Sequence, residues 1–250
     1  MATKIFTPSM LRGAGTRGVP EMPAGSSFTN TYSIQFPGAD DRVSMGDVLD
    51  QDGSSAFSIS VWVKYTSGGS CCVIAKQLNN APGYAMFTQA VGVINYYITN
   101  GGSNYIQVKS TSGFNDGNWH HILATYDGSG GASGTKLYLD GSLDTTVVKD
   151  TFTSTSSNSA NLQIGYRGVS NPVPWAGNID EVSIFDSVIA IGVVWDGSGK
   201  PTDLSSKSNL VGWWRMGDGA SYPTIPDDSS NSNDGTMTNM TSGDIVSDVP

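Results

Sequence analysis

The stretch Phe57-Ser58-Ile59-Ser60-Val61-Trp62-Val63-Lys64 alternates with a period of two. It sets Phe57, Ile59, Val61 and Val63 on one face and Ser58, Ser60, Trp62 and Lys64 on the other, as a half-buried strand requires. Working outward, β-like runs recur at 84–87, 91–99, 105–109, 119–126, 136–139, 162–164 and 179–185. Eight Asp-Gly or Asn-Gly pairs punctuate the chain, among them Asn100-Gly101, Asp127-Gly128 and Asp140-Gly141. Such pairs tolerate the positive φ angles of tight hairpins. Short strands joined by turns, with helical spacing confined to one turn near 188–194, predict an all-β antiparallel sandwich.

Composition then removes several function classes. Ser, Thr, Asn and Gly supply 102 of the 250 residues, a turn-rich content. A net charge of −9 argues against a nucleic-acid partner. No apolar run approaches the ~18 residues that cross a bilayer, so no membrane partner is expected. The carboxylates are twenty Asp and only two Glu, Glu21 and Glu181. The adjacent Cys71 and Cys72 would point to opposite faces of a strand, so two reduced thiols are expected.

Residues 1–27 read as an extended arm broken by Pro8, Pro20, Pro23 and several glycines. Lys4, Arg12 and Arg17 against Glu21 give this arm a charge of +2, leaving −11 for the remainder. It is expected to anchor on an acidic partner surface, with Phe6 and Leu11 as apolar contacts and Arg12 and Arg17 as charged ones. Residues 28–250 are expected to form one domain, with 196–250 closing the same sandwich.

An ordered series of segments carries a family resemblance. It runs through Tyr32-Ser33-Ile34-Gln35-Phe36-Pro37-Gly38, the 57–63 strand, Gly117-Asn118-Trp119-His120-His121-Ile122 and Thr125-Tyr126-Asp127-Gly128. Lys136-Leu137-Tyr138-Leu139-Asp140-Gly141, Leu162-Gln163-Ile164-Gly165 and Gly177-Asn178-Ile179-Asp180-Glu181-Val182 complete it. The series resembles the laminin-G-like, concanavalin-A-like jelly rolls. The tail, with Trp213-Trp214-Arg215-Met216-Gly217-Asp218 and Asp228 to Gly235, is similar to laminin-G-type proteins of tailed-phage virions. The resemblance implies two stacked antiparallel sheets and binding more often than catalysis.

Retaining glycosidases on such folds need two carboxylates about 5–5.5 Å apart. The related glucanases carry them in a Glu-x-Asp-x-x-Glu strand pattern, absent here. Asp180-Glu181 is not expected to substitute, because neighbours on a strand face opposite ways. His120 and His121 are read as packing residues, and no Gly-rich phosphate loop is present. No enzymatic activity is therefore expected. By resemblance a rim calcium is the expected cofactor, with Asp40 and Asp180 as its ligands. The stretch 228–235 lacks the glycine and closing glutamate of a calcium loop and is read as a turn. For glycans, the aromatic candidates are Trp62, Tyr96, Tyr105 and Trp175, with Asn95, Asn104 and Gln107 near in sequence.

The leading expectation is a non-enzymatic phage virion component: a head-decoration, fibre or appendage subunit. Its arm would hold virion proteins, its jelly roll would meet host-surface glycans, and it would assemble as a homo-oligomer, taken by analogy as a trimer. The N-terminus lacks the apolar stretch of a secretory signal, consistent with synthesis in a host cytoplasm and a place in the particle. The alternatives are a calcium-dependent lectin-like module and, more remotely, a glycoside hydrolase.

Overall fold

The computed structural model describes residues 28–250 except 39, 68, 79, 90–91, 154 and 169–172. The arm expectations on Phe6, Leu11, Arg12 and Arg17 lie outside the described residues. Sheet I runs in the order β10 (Ser142–Leu143), β9 (Thr135–Leu139), β8 (Trp119–Tyr126), β3 (Phe57–Tyr65), β13 (Gly177–Phe185), β1 (Ser33–Phe36) and β17 (Ile245–Val246). β14 (Leu210–Trp214) also pairs with β13. Sheet II runs β11 (Thr146–Asp150), β7 (Tyr105–Gly113), β6 (Val93–Asn100), β5 (Pro82–Thr88), β4 (Cys72–Gln77), β12 (Leu162–Ile164), β2 (Arg42–Gly46), β16 (Gly235–Thr238) and β15 (Thr224–Ile225). The strand pairs are antiparallel. The all-β sandwich is as the sequence predicts.

The core lies between the two sheets. Phe57, Ile59, Val61 and Val63 of β3 meet Ile74, Tyr84, Met86, Ile94, Tyr96, Ile98, Ile106 and Val108 of sheet II. The Phe57 ring lies 5.3 Å from Tyr84, 6.1 Å from Tyr96 and 5.8 Å from Tyr126, centroid to centroid. Burial of these rows supplies the main driving force for the sandwich, on the order of 25 cal/mol per Å² of apolar surface removed from water.

The second face of β3 departs from the half-buried expectation. Ser58, Ser60 and Trp62 are buried as well, because residues 186–209 cross over them. Ser58 Oγ donates to the Ser187 carbonyl at 2.7 Å and accepts from Ile189 N at 3.2 Å. Trp195 stacks on Trp62 with centroids 5.4 Å apart. Within this segment the predicted helical turn is a short 3₁₀ turn, Ile191–Val193. Leu123, Phe185, Ile189, Val194, Leu204 and Trp213 form a second apolar cluster beneath it.

The tail contributes to both sheets: β14 and β17 to sheet I, β15 and β16 to sheet II. Trp213 and Trp214 are both buried. The turn after β15 is organised by Asp227, whose carboxylate accepts from the backbone N–H groups of Trp213, Ser229 and Asn233 at 2.8–2.9 Å. Cys71 and Cys72 are free thiols; Cys71 joins the main core and Cys72 the cluster on the outer side of sheet II.

Candidate functional site

Of the four aromatic candidates, the fold leaves one accessible. Tyr96 shares the inward row of Ile94 and Ile98 and is fully buried. Trp175 is buried against Tyr65, centroids 4.8 Å apart. Trp62 lies between His121 and Trp195. These three rings have no face free to stack on a sugar. Tyr105 is half-buried on the outer face of sheet II.

That outer face is built by register. Gln163 of β12, Ala75 of β4, Ala85 of β5, Tyr97 of β6, Gln107 of β7 and Lys149 of β11 stand opposite one another across six strands. Tyr97 and Tyr105 form a half-exposed ring pair with centroids 4.7 Å apart. Phe87 lies edge-on to Tyr97 at 6.3 Å. Beside them Gln107 Nε2 donates to Asn95 Oδ1 at 2.8 Å, which fixes both amides. Further along the sheet is a cleft of about 310 Å³ lined by Arg42, Leu78, Asn161, Gln163 and Tyr166. Val173 packs on Cys72, Ala75 and Ala85 on this face. Partly exposed rings on the same sheet face as a polar-lined cleft can offer an apolar surface to a ligand ring. Tyr97, Arg42, Gln163 and Tyr166 are not among the sequence candidates. The one available signal is alternation: Ile94, Tyr96 and Ile98 share a row, which turns Tyr97 outward.

The carboxylates of β13 form a separate, closed network. The expectation that Asp180 and Glu181 face opposite ways fails at a β-bulge: the register with β3 shifts between Asp180 and Ser183, and Glu181 has φ +46°. Both side chains consequently lie on the outer side of sheet I and are buried. Asp180 Oδ2 accepts from Asn30 Nδ2 at 2.8 Å and Oδ1 from the Glu181 N–H at 2.9 Å. Glu181 Oε2 accepts from Trp213 Nε1 at 2.6 Å and Oε1 from Arg215 Nε at 3.0 Å. Burial, followed by the charge of Glu181, pushes Asp180 well above the usual carboxylate range. Burial also pushes Glu181 up to about 7 against the pull of Arg215. Arg215 reaches further to the Thr29 carbonyl and to Asp218, and its guanidinium lies 4.6 Å from the Phe28 ring. Every carboxylate oxygen of the pair has a partner inside the protein, so the pair locks strands and the incoming chain together.

Of the two expected calcium ligands, Asp180 is buried and bonded to Asn30 and the Glu181 N–H, and Asp40 is exposed in the β1–β2 connection. Among the described residues no three His, Cys, Asp or Glu side chains gather as a metal ion requires.

The histidines form structural contacts. His120 lies 2.7 Å from Asp140 and 3.1 Å from Asp116, and these carboxylates, Asp140 foremost, raise its pKa. His121 Nε2 lies 2.8 Å from Ser60 Oγ, but its Nδ1 has no partner and burial lowers its pKa to about 3. A nucleophilic serine needs a base oriented by a third group and open to substrate. This pair has neither and sits beneath Trp62 and Trp195.

The two stacked antiparallel sheets form a jelly-roll sandwich of the concanavalin-A-like type. The chain belongs to the concanavalin A-like lectin/glucanases superfamily, whose laminin-G-type family model matches residues 37–190. No curated protein sequence matches the chain. A candidate carbohydrate-binding protein of Bacteroides ovatus ATCC 8483 shares the fold at TM-score 0.63 and 14% identity, over 86% of this chain and 60% of that one. The heptameric SAP-like pentraxin of Limulus polyphemus aligns at TM-score 0.48 and 14% identity over 65% of this chain and 79% of its own. The CBM40 of the Ruminococcus gnavus IT-sialidase aligns at TM-score 0.47 and 13% identity, over 63% and 91%. Membership of this superfamily fits the lectin-like alternative better than the virion reading, for which the comparisons offer no support.

Proposed function

We propose that this protein binds carbohydrate without hydrolysing it, through the outer face of sheet II. The observation that carries the reading is the partly exposed Tyr97–Tyr105 pair on the same sheet face as the cleft of Arg42, Asn161, Gln163 and Tyr166. Membership of a lectin and glucanase superfamily, without a presented carboxylate pair, supports binding over turnover. The test is a glycan array followed by titration calorimetry on Tyr97→Ala and Tyr105→Ala. Both variants should keep the parent melting temperature and lose most of the affinity. Binding that survives loss of both rings would place the site elsewhere, and an array with no hits would sink the reading.

A further inference from the structure

The cations of this acidic protein are unevenly placed. Among the described residues, the nine strands of sheet II carry Arg42, Lys76, Lys109 and Lys149 but a single carboxylate, Asp150. Asp150 stands opposite the inward-facing Ile106 rather than on the outer row. Lys76 is buried and neutralised by Asp47 and Asp50. Arg42, Lys149 and, from the turn after β12, Arg167 have no carboxylate within ion-pair distance; the ion pairs in the described residues involve other groups. The internal residues outside the description contain no Asp or Glu.

Each of the three cations lies over a ring of the candidate face instead. Arg42 is 5.2 Å from the Tyr166 centroid, Arg167 is 4.8 Å from Phe87 and Lys149 is 4.2 Å from Tyr105. Arg42 donates to the Asp40 carbonyl at 2.8 Å and takes part in none of the ion pairs of the described residues. Asp144, at the rim near Lys109, is engaged by Thr111 and Ser112. Arg42 lines the cleft, whose lining holds no acid, and Arg167 lies over Phe87 on the same sheet face, so cations gather on one face of a negative protein. Guanidinium forks suit carboxylate and sulfate geometry.

We propose that the ligand is an acidic oligosaccharide, its sugar rings on Tyr97 and Tyr105 and its carboxylate or sulfate groups on Arg42 and Arg167. This rests on the carbohydrate reading above and specifies it. A neutral glycan would leave the charges of the three cations without an anionic partner. The negative charge of the rest of the sandwich works against a polyphosphate chain, whose binding demands many cations along the track.

The test compares five probes by calorimetry: an oligogalacturonate, its fully methyl-esterified counterpart, a sulfated oligosaccharide, its desulfated form, and a single-stranded oligonucleotide. The oligogalacturonate or the sulfated probe should bind about tenfold or more tightly than its uncharged twin, and the pair that responds identifies carboxylate or sulfate. Affinity should fall as salt rises. Arg42→Gln and Arg167→Gln should each remove most of that preference at unchanged melting temperature, with Arg42→Lys intermediate because it keeps charge but not the fork. Equal, tyrosine-dependent binding of charged and uncharged twins overturns the acidic-ligand inference and leaves the carbohydrate reading standing. Binding of the oligonucleotide alone overturns both.

Discussion

The indole N–H of Trp213 donates a 2.6 Å hydrogen bond to Glu181 Oε2, joining β14 of the tail to the bulged centre of β13. A buried charged acceptor that loses its donor bears the full desolvation cost, about 1–3 kcal/mol or more. Trp213→Phe should therefore lower unfolding free energy by about 2 kcal/mol in urea. A loss below about 0.5 kcal/mol would show that the bond contributes nothing net.

The same glutamate sets a pH dependence. Burial raises Glu181 to about 7, so between its ordinary value and about 7 the folded protein holds a proton that the unfolded chain has lost. Its contribution is present at low pH and fades as pH rises through about 7. Glu181→Gln should gain stability relative to the parent as pH rises from about 5 to 7, then run parallel to it above about 8. A constant offset across the range would refute the assignment.

The two histidines should separate cleanly in an NMR titration. Asp140 and Asp116 raise His120, so it should titrate above the ordinary imidazole value. His121, lowered to about 3 by burial, should stay neutral throughout the physiological range. Since His121 is neutral when folded, its unfolded-state protonation costs stability as pH falls below the ordinary histidine value.

Two neighbouring tyrosines should respond in opposite ways. Tyr96→Ala empties a core position and should cost about 3–5 kcal/mol. Tyr97→Ala should cost far less, and its effect should appear in glycan affinity. Comparable destabilisation by both would contradict the inward and outward rows of β6.

Chelation offers a check on the carboxylates of β13 and the β1–β2 connection. With Asp180 satisfied internally, EDTA should leave the melting temperature unchanged, because no bound ion is removed from the native state. A fall reversed by calcium, and lost in Asp180→Ala, would restore the rim site.

The alternation of Phe57 to Val63 and the Asp-Gly turns made the sandwich and its inner rows legible, since strand periodicity is local. What stayed hidden is non-local. The cover over Ser58 and Trp62 comes from residues more than a hundred positions later. The bulge that turns Asp180 and Glu181 to one side depends on a positive φ at a glutamate, which no residue type announces. Arg42 and Tyr166 meet because β2 and β12 are neighbours in sheet II, a pairing that sequence spacing does not reveal.

Phe28, where the described chain begins, stacks with Trp213 on the outer side of sheet I, and Arg215 clamps the adjoining Thr29 carbonyl. The ring pair Tyr97–Tyr105 lies on the far side of the sandwich. Phe28 and the ring pair are thus back to back, with the full thickness of two sheets between them. A copy held by its N-terminal side turns its tyrosines and arginines away from the anchor, so many copies fixed side by side would all show them outward.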